Sequence, residues 1–384
     1  MNKCFITKLP SSIDNDNLPV LGQLRINWLK QSDLTNNKAR AFDVATNDSI
    51  TVKVSGAHFT DETLTSNLGN TKTITASDGE VWLYVSNDAD AVLTIDNKYS
   101  LTVLNFLATG TDNIKRLVYF DIEDIKYCTN LTKLYASNSQ VSGDISALSG
   151  LTNLSYLNLS ISKVNGNISA LSELTKLVMI GLSNTQVSGD ISALSKLTNC
   201  GAMVLESTQV SGNISAVSNL TNLYALNLNN TQVSGDINAV SNLTNLITLN
   251  LNNIQVSGKV DSLANLTKLS NLTQLKGLSL TGDMSKIPAG VNFISQNYRK
   301  VTTNFTWTAN GRKNATLLAM EGRVPFDTAS MDNMFIDQAT CTFKPTDSFS
   351  RIIAVSGTRT SASDEAVAAI QNMGVTITGV TKQA

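Results

Sequence analysis

The stretch Val141-Ser-Gly-Asp-Ile-Ser-Ala-Leu148 returns as Val164-Asn-Gly-Asn-Ile-Ser-Ala-Leu171 and again as Val187-Ser-Gly-Asp-Ile-Ser-Ala-Leu194. Its glycines, Gly143, Gly166, Gly189, Gly212, Gly235 and Gly258, keep a period of 23 residues. A fixed period of this length marks a chain built from one structural unit stacked repeatedly on itself. Between the glycines stand Leu154, Leu157 and Leu159, then Leu223, Leu226 and Leu228, then Leu246, Leu249 and Leu251. The last two leucines of each set alternate with polar residues, as in a strand with one buried face. Ile191, Leu194 and Leu197 follow at helical spacing over a run too short for more than a turn of 3₁₀ helix. The Gly-Asp pair between strand and helix reads as a turn. The expectation is one strand per copy, stacked in parallel so that the leucines share one core.

The phrase Leu-x-x-Leu-x-Leu-x-x-(Asn)-x-Leu resembles the leucine-rich repeat family over about residues 101–280, with internalin-like and plant-type repeats nearest in wording. The resemblance implies an α/β repeat fold, a parallel β-solenoid. One position departs from it. Ser139, Ser162, Thr185, Thr208, Thr231 and Ile254 stand where the family carries a laddering asparagine, and the hydroxyls of the first five are expected to bridge adjacent coils. Leu101, Leu104 and Phe106 fit a first strand and Leu275, Leu278 and Leu280 a last, eight strands in all.

The flanks read differently. In residues 1–100, Gln23–Trp28, Ser49–Val54, Lys72–Thr75, Glu80–Val85 and Ala91–Asp96 alternate between Asn-, Asp- and Gly-rich turns, which predicts an N-terminal all-β domain of the sandwich kind. Residues 101–284 form the solenoid. Residues 285–384 read as a C-terminal β/α capping region, with strands at Ala315–Met320, Arg351–Val355 and Val375–Thr378. Between the last two, a helix over Glu365–Met373 is stopped by Gly374. This unit is expected to extend the parallel sheet and cover its open edge.

Chemistry is scarce. A net charge of −1 gives no basic excess to hold a phosphate backbone, so nucleic acid is excluded as a partner. No apolar run is long enough to insert in a membrane, and Met1–Ser12 lacks the apolar core of an export signal. Thirteen Asn-x-Ser/Thr sequons, several in predicted strands, argue against a eukaryotic secretory route. His58 is the single histidine and lies beside no nucleophile motif, so it reads as a solvated loop residue. Asn87-Asp-Ala-Asp90 lacks the glycine and distal glutamate of a calcium loop and reads as a turn. Cys4, Cys128, Cys200 and Cys341 have no metal spacing, and Cys128 and Cys200 align with core leucines. No metal, no cofactor and no catalytic activity are expected.

What remains is a surface. The residues flanking the strand leucines are expected on the concave side, and the binding candidates among them are Tyr156, Asn158, Ser160, Ser183, Glu206, Asn227, Asn229, Asn250 and Asn252. Asn and Ser rows suit hydroxyl-rich glycans, while they also satisfy one another along a stack, and the second reading is favoured on residues alone. The scarcity of Trp, Tyr and Arg is unlike a protein-binding hot spot. Finally, Phe5-Ile-Thr-Lys-Leu9, Asn15–Ile26 and Val355–Val367 resemble the ends of leucine-rich repeat proteins of gut Bacteroides and of their crAss-like tailed phages. That resemblance implies a phage virion structural protein, a tail or capsid appendage assembled in the bacterial cytoplasm. Its partners would be other virion proteins or a host surface glycan or protein, and it would act as a homo-oligomer in the particle. A bacterial cell-surface adhesin is the alternative.

Overall fold

The computed structural model describes residues 24–28, 40–55, 57, 59–60, 67–79, 81–85, 91–106, 118–270, 279–291, 293–295, 305–309, 311, 319–341 and 352–383. His58, Asn87–Asp90, Cys4, Leu275, Leu278 and residues 315–318 lie outside them.

Each coil begins with a three-residue strand whose central residue is fully buried. Tyr156–Asn158, Met179–Gly181, Ala202–Val204, Ala225–Asn227 and Thr248–Asn250 pair in parallel and in strict register, Leu157 opposite Ile180, Met203, Leu226 and Leu249 in turn. Lys133–Tyr135 and Leu101–Asn105 continue this concave sheet toward the N-terminus. Leu154, Leu157, Leu159, Val164, Ile168, Leu171 and Leu174 of a single coil are all removed from solvent. Each such aliphatic contributes roughly 1.5–3 kcal/mol relative to an exposed one. Only stacking buries both open ends of every coil, so the stability is collective.

The expectation of one strand per coil is wrong, because the stretch read as a turn is itself a strand. Lys163–Asn167, Gln186–Asp190, Gln209–Asn213, Gln232–Asp236 and Gln255–Lys259 form a second parallel sheet, begun by Ser142–Asp144 and ended by Ser279–Thr281. Its single inward valine leaves no alternation to read. Leu280 belongs here, opposite Gly258, and not to an eighth concave strand.

The period is kept by a contact between coils. Asp144, Asn167, Asp190, Asn213 and Asp236 each cap the 3₁₀ turn that follows, accepting from the backbone N–H two residues on. The hydrogen bond from Ser192 N–H, with one from its side chain, holds the Asp190 carboxyl below its usual range. Over each cap lies the glycine of the next coil. At Gly212, φ is +99°, and a Cβ there would stand 2.3 Å from Asp190 Oδ1. Glycine is thus required twice, by conformation and by space.

The ladder runs elsewhere than expected. Thr185, Thr208 and Thr231 Oγ1 donate to the carbonyls of Leu182, Leu205 and Leu228 at 2.6–2.7 Å, within their own coil, as do the Ser139 and Ser162 hydroxyls to Ala136 and Leu159. The bridges between coils come from the Asn of Leu-Thr-Asn-Leu: Asn153, Asn199, Asn222 and Asn245 Nδ2 donate to Thr129, Thr175, Thr198 and Thr221 carbonyls at 2.8–2.9 Å.

At the N-terminal side the strands are antiparallel. Leu24–Trp28, Ile50–Ser55, Thr71–Ile74 and Ala91–Ile95 lie in one sheet over a core of Leu24, Ile26, Val52, Leu93 and Ile95. Arg40–Thr46, unread in the sequence, pairs antiparallel with Leu101–Asn105, so the concave sheet runs on into this region. Beyond residue 284 the stacking continues in a separate parallel sheet, where Ile294, Met320, Ile353 and Ile377 succeed one another in steps of 26, 33 and 24 residues. The expected strand–helix–strand unit is present, but among the described residues it pairs within this sheet rather than with the concave one. Two helices, α1 (Thr328–Gln338) and α2 (Asp364–Asn372), lie between its strands. The sequence reading missed α1. It buries Asp332 and Asp337, whose carboxylates accept from Thr360 and Ser363 and, at 2.9 Å, from Trp307 Nε1.

Candidate functional site

The concave face is built from three side-chain columns, each stepping one strand spacing per coil. The first column reads Lys133, Tyr156, Met179, Ala202, Ala225, Thr248, the second Tyr135, Asn158, Gly181, Val204, Asn227, Asn250, and the third Ser137, Ser160, Ser183, Glu206, Asn229, Asn252. The nine candidates therefore do share one face.

They are not equally available. Ser183 and Asn252 are buried, at 7% and 6% exposure, and this corrects their expected place on the open surface. Neighbouring coils cover them, which one coil's sequence cannot reveal. Tyr156, Asn158, Ser160, Glu206, Asn227, Asn229 and Asn250 are half-buried.

Several of the amides serve the coil that carries them. Asn158 and Asn227 Oδ1 accept from Ser160 and Asn229 N–H at 3.1 Å, and each holds the strand's exit. Asn229 Oδ1 accepts from Asn252 N–H at 2.8 Å, and Ser160 Oγ from Ser183 N–H at 3.2 Å, so the third column bonds from coil to coil. These are two steps of five, since the Ser160 and Asn229 N–H groups bond within their own coils. Ser183 Oγ is buried with no hydrogen-bond partner among the described residues. Opposite it, Glu206 Oε2 accepts from Asn227 Nδ2 at 3.0 Å.

Two features escaped the sequence reading. Tyr135 and Tyr156 pack side by side, ring centroids 6.2 Å apart and planes at 40°. Tyr135 sits in the Asn158 column, one coil before the nine candidates. Tyr224 and Ile247, each 46% exposed, form a rim immediately before the strands, and the Tyr224 ring lies over Gly201, where a Cβ would meet it at 2.6 Å. The signal was available in the 23-residue alignment, as the column Thr132, Ser155, Val178, Gly201, Tyr224, Ile247.

Buried thiols add no reactivity. Cys128, Cys200 and Cys341 are free and buried, and burial pushes the Cys128 thiol up to about 11 and that of Cys200 up to about 12. Cys128 and Cys200 fill leucine positions of the core, as expected. Among the described residues no group of three His, Cys, Asp or Glu is placed to hold a metal, and no helix is long and apolar enough to cross a membrane.

Residues 129–176 match a family model described as "Leucine Rich repeats (2 copies)". Among solved structures, internalin C2 from Listeria monocytogenes is 30% identical, covering 48% of this chain and 75% of that one, with a TM-score of 0.38. The plant peptide hormone receptor RGFR1, solved with RGF2, is 17% identical over 69% of this chain and 50% of that one, with a TM-score of 0.47. The leucine-rich repeat ectodomain of the receptor kinase GASSHO1/SCHENGEN3 from Arabidopsis thaliana is 18% identical over 68% and 36%, with a TM-score of 0.43. The chain thus spans half the length of the first plant receptor it matches, and less of the second. No curated protein matches the sequence.

Proposed function

We propose, from the premise that the chain is built on leucine-rich repeats, that it is a non-enzymatic recognition module whose concave face takes a polar, hydroxyl-rich ligand. The observation that carries this is the composition of the three columns. Between Lys133 at one end and Glu206 in the middle they hold no other charge, only amides, hydroxyls, small residues, an aromatic pair, and the apolar Met179 and Val204. Such a face offers hydrogen bonds and stacking in place of the charged anchors of a protein hot spot. Each bond contributes little, so useful affinity comes from copy number.

The setting we propose is the particle of a tailed phage. There the chain would be a structural appendage, homo-oligomeric and assembled in the bacterial cytoplasm, with residues 1–100 as anchor, 101–284 as recognition array and 285–384 as cap. Support for the setting comes from the likeness of the chain's end phrases to proteins of crAss-like phages and gut Bacteroides. The second reading, an adhesin on the bacterial surface, uses the same face.

Multimerised full-length chain on a bacterial capsule glycan array should bind, and an Asn227→Ala, Asn250→Ala variant should bind less. Silence of both refutes glycan recognition. Mass spectrometry of purified virions decides the setting: presence on cell surfaces and never in virions refutes the phage assignment.

A further inference from the structure

Coil stacking runs past the array and arrives at an open edge. Isolated bridges from Asp283 to Thr306 and from Phe305 to Phe326, with a hydrogen bond from Phe326 N–H to the Ser356 carbonyl, carry the second sheet's stacking forward. The strand Thr376–Lys382 then joins two ladders at once. Gly379, at φ +81°, divides it into Thr376–Thr378, paired with Ile352–Ala354, and Val380–Lys382, paired with Gly357–Arg359. Its outer edge meets no strand among the described residues. Ile353 is removed from solvent, whereas Ile377 beside it and Val380 pack on the core yet stay half-buried, as in a coil on which nothing is stacked.

That edge is unlike the others. Among the described residues, every other strand that ends a sheet has two to four residues, and this one has seven. Short strands, charges and prolines keep edges from pairing, and Thr376–Thr381 carries neither charge nor proline. An extended segment added there gains a ladder of main-chain hydrogen bonds. Because no other edge offers a matching length, a second copy meets it with the same strand, as a two-fold axis requires. The side chains select direction and register. Lys382, bonded to Asp364, would face its own copy in a parallel pair in register, whereas antiparallel pairing holds the two lysines about 20 Å apart. Setting Ile377 against Val380 of the second copy joins the two half-buried core residues. The two-fold then falls between Thr378 and Gly379, so the bends of the two strands lie side by side.

We propose that two copies of the chain associate through Thr376–Lys382, paired antiparallel in this register, each closing the open coil of the other. The proposal gives an interface to the homo-oligomer of the reading above and rests on that part of it alone.

Sedimentation of the full-length chain over about 1–100 μM should show its mass rise from monomer to dimer. The register also sets Thr376, exposed, against the equally exposed Thr381 of the second copy, twice per dimer. Thr376→Lys with Thr381→Lys places like charges there and should raise the dissociation constant about two- to thirtyfold, whereas Thr376→Lys with Thr381→Glu should lower it by a similar factor. Both variants should melt as the parent does when monomeric. A monomer throughout overturns the interface and the homo-oligomer together, and growth past the dimer overturns the two-fold pairing. A dimer that both variants leave unchanged, or move the same way, overturns this interface and leaves the homo-oligomer standing on another surface. Recognition is read separately, on the capsule array, where the chain is multimerised by other means.

Discussion

Replacing Gly212 by alanine tests the cap and glycine contact directly. The backbone at φ +99° is nearly reserved for glycine, and holding another residue there costs about 1–3 kcal/mol. The new Cβ would also stand 2.3 Å from Asp190 Oδ1, 2.6 Å from its Cγ and 2.8 Å from Oδ2, so the carboxylate must leave the cap. A lost N-cap costs about 1 kcal/mol. Together the expected destabilisation is about 2–4 kcal/mol, a midpoint shift on the order of 1 M urea for a slope near 3 kcal/mol/M. Circular dichroism in urea reads it. Gly150→Ala is the control, since its Cβ meets nothing within 4 Å and φ there is ordinary. It should be neutral or gain about 0.5 kcal/mol. Asp190→Ala alone should cost about 1 kcal/mol, and in the Gly212→Ala background nearly nothing, because the cap has already gone. Refutation would be Gly212→Ala unfolding at the parent midpoint, or Gly150→Ala shifting it as far.

Three further outcomes follow from the geometry. Thr208→Val removes the 2.7 Å bond to the Leu205 carbonyl and strands a buried acceptor, so it should destabilise by about 1–3 kcal/mol, whereas Ser183→Ala, which loses no partner, should leave the urea midpoint unchanged. Cys128 and Cys200 should resist iodoacetamide at pH 8 in the folded chain and react once it is unfolded in urea, as read by peptide mapping. The alkaline limb has a definite sign. The folded thiols titrate at about 11 and about 12 against 9.0 in the open chain, so their contribution is complete below pH 9 and is lost as pH rises through 11 and 12. Melting temperature should therefore fall above pH 9, and should fall less in a Cys200→Ala variant, measured against its own neutral value.

How much of this was legible depends on where the physical constraint lies. Leucines at fixed offsets report burial within one coil, so the concave strands, the parallel stacking and the core roles of Cys128 and Cys200 could be read directly. The second sheet could not, because Gln-Val-Ser-Gly-Asp has one inward residue and a glycine that ordinarily signals a turn. Its glycine answers to an asparagine 22 residues earlier, a relation visible only once coils are stacked. The burial of Ser183 and Asn252 likewise comes from neighbouring coils. Helix α1 was hidden because Asp332 and Asp337 are polar residues on its buried face, matched by Thr360, Ser363 and Trp307 from distant segments. At the candidate site, the columns of half-buried amides were legible from alternation, while the buried, partnerless Ser183 hydroxyl and the tyrosine rim required the geometry.

The cap and glycine contact also has a direction in time. Asp190 receives Gly212, and never the reverse, so every cap is synthesised before the glycine that covers it. A chain leaves the ribosome N-terminus first. The antiparallel strands that meet Leu101–Asn105 emerge first and present a finished edge, and each 23-residue coil that follows finds its seat already formed on the one before. Assembly of the array can thus keep step with translation, one coil at a time, with no wait for the C-terminal sheet.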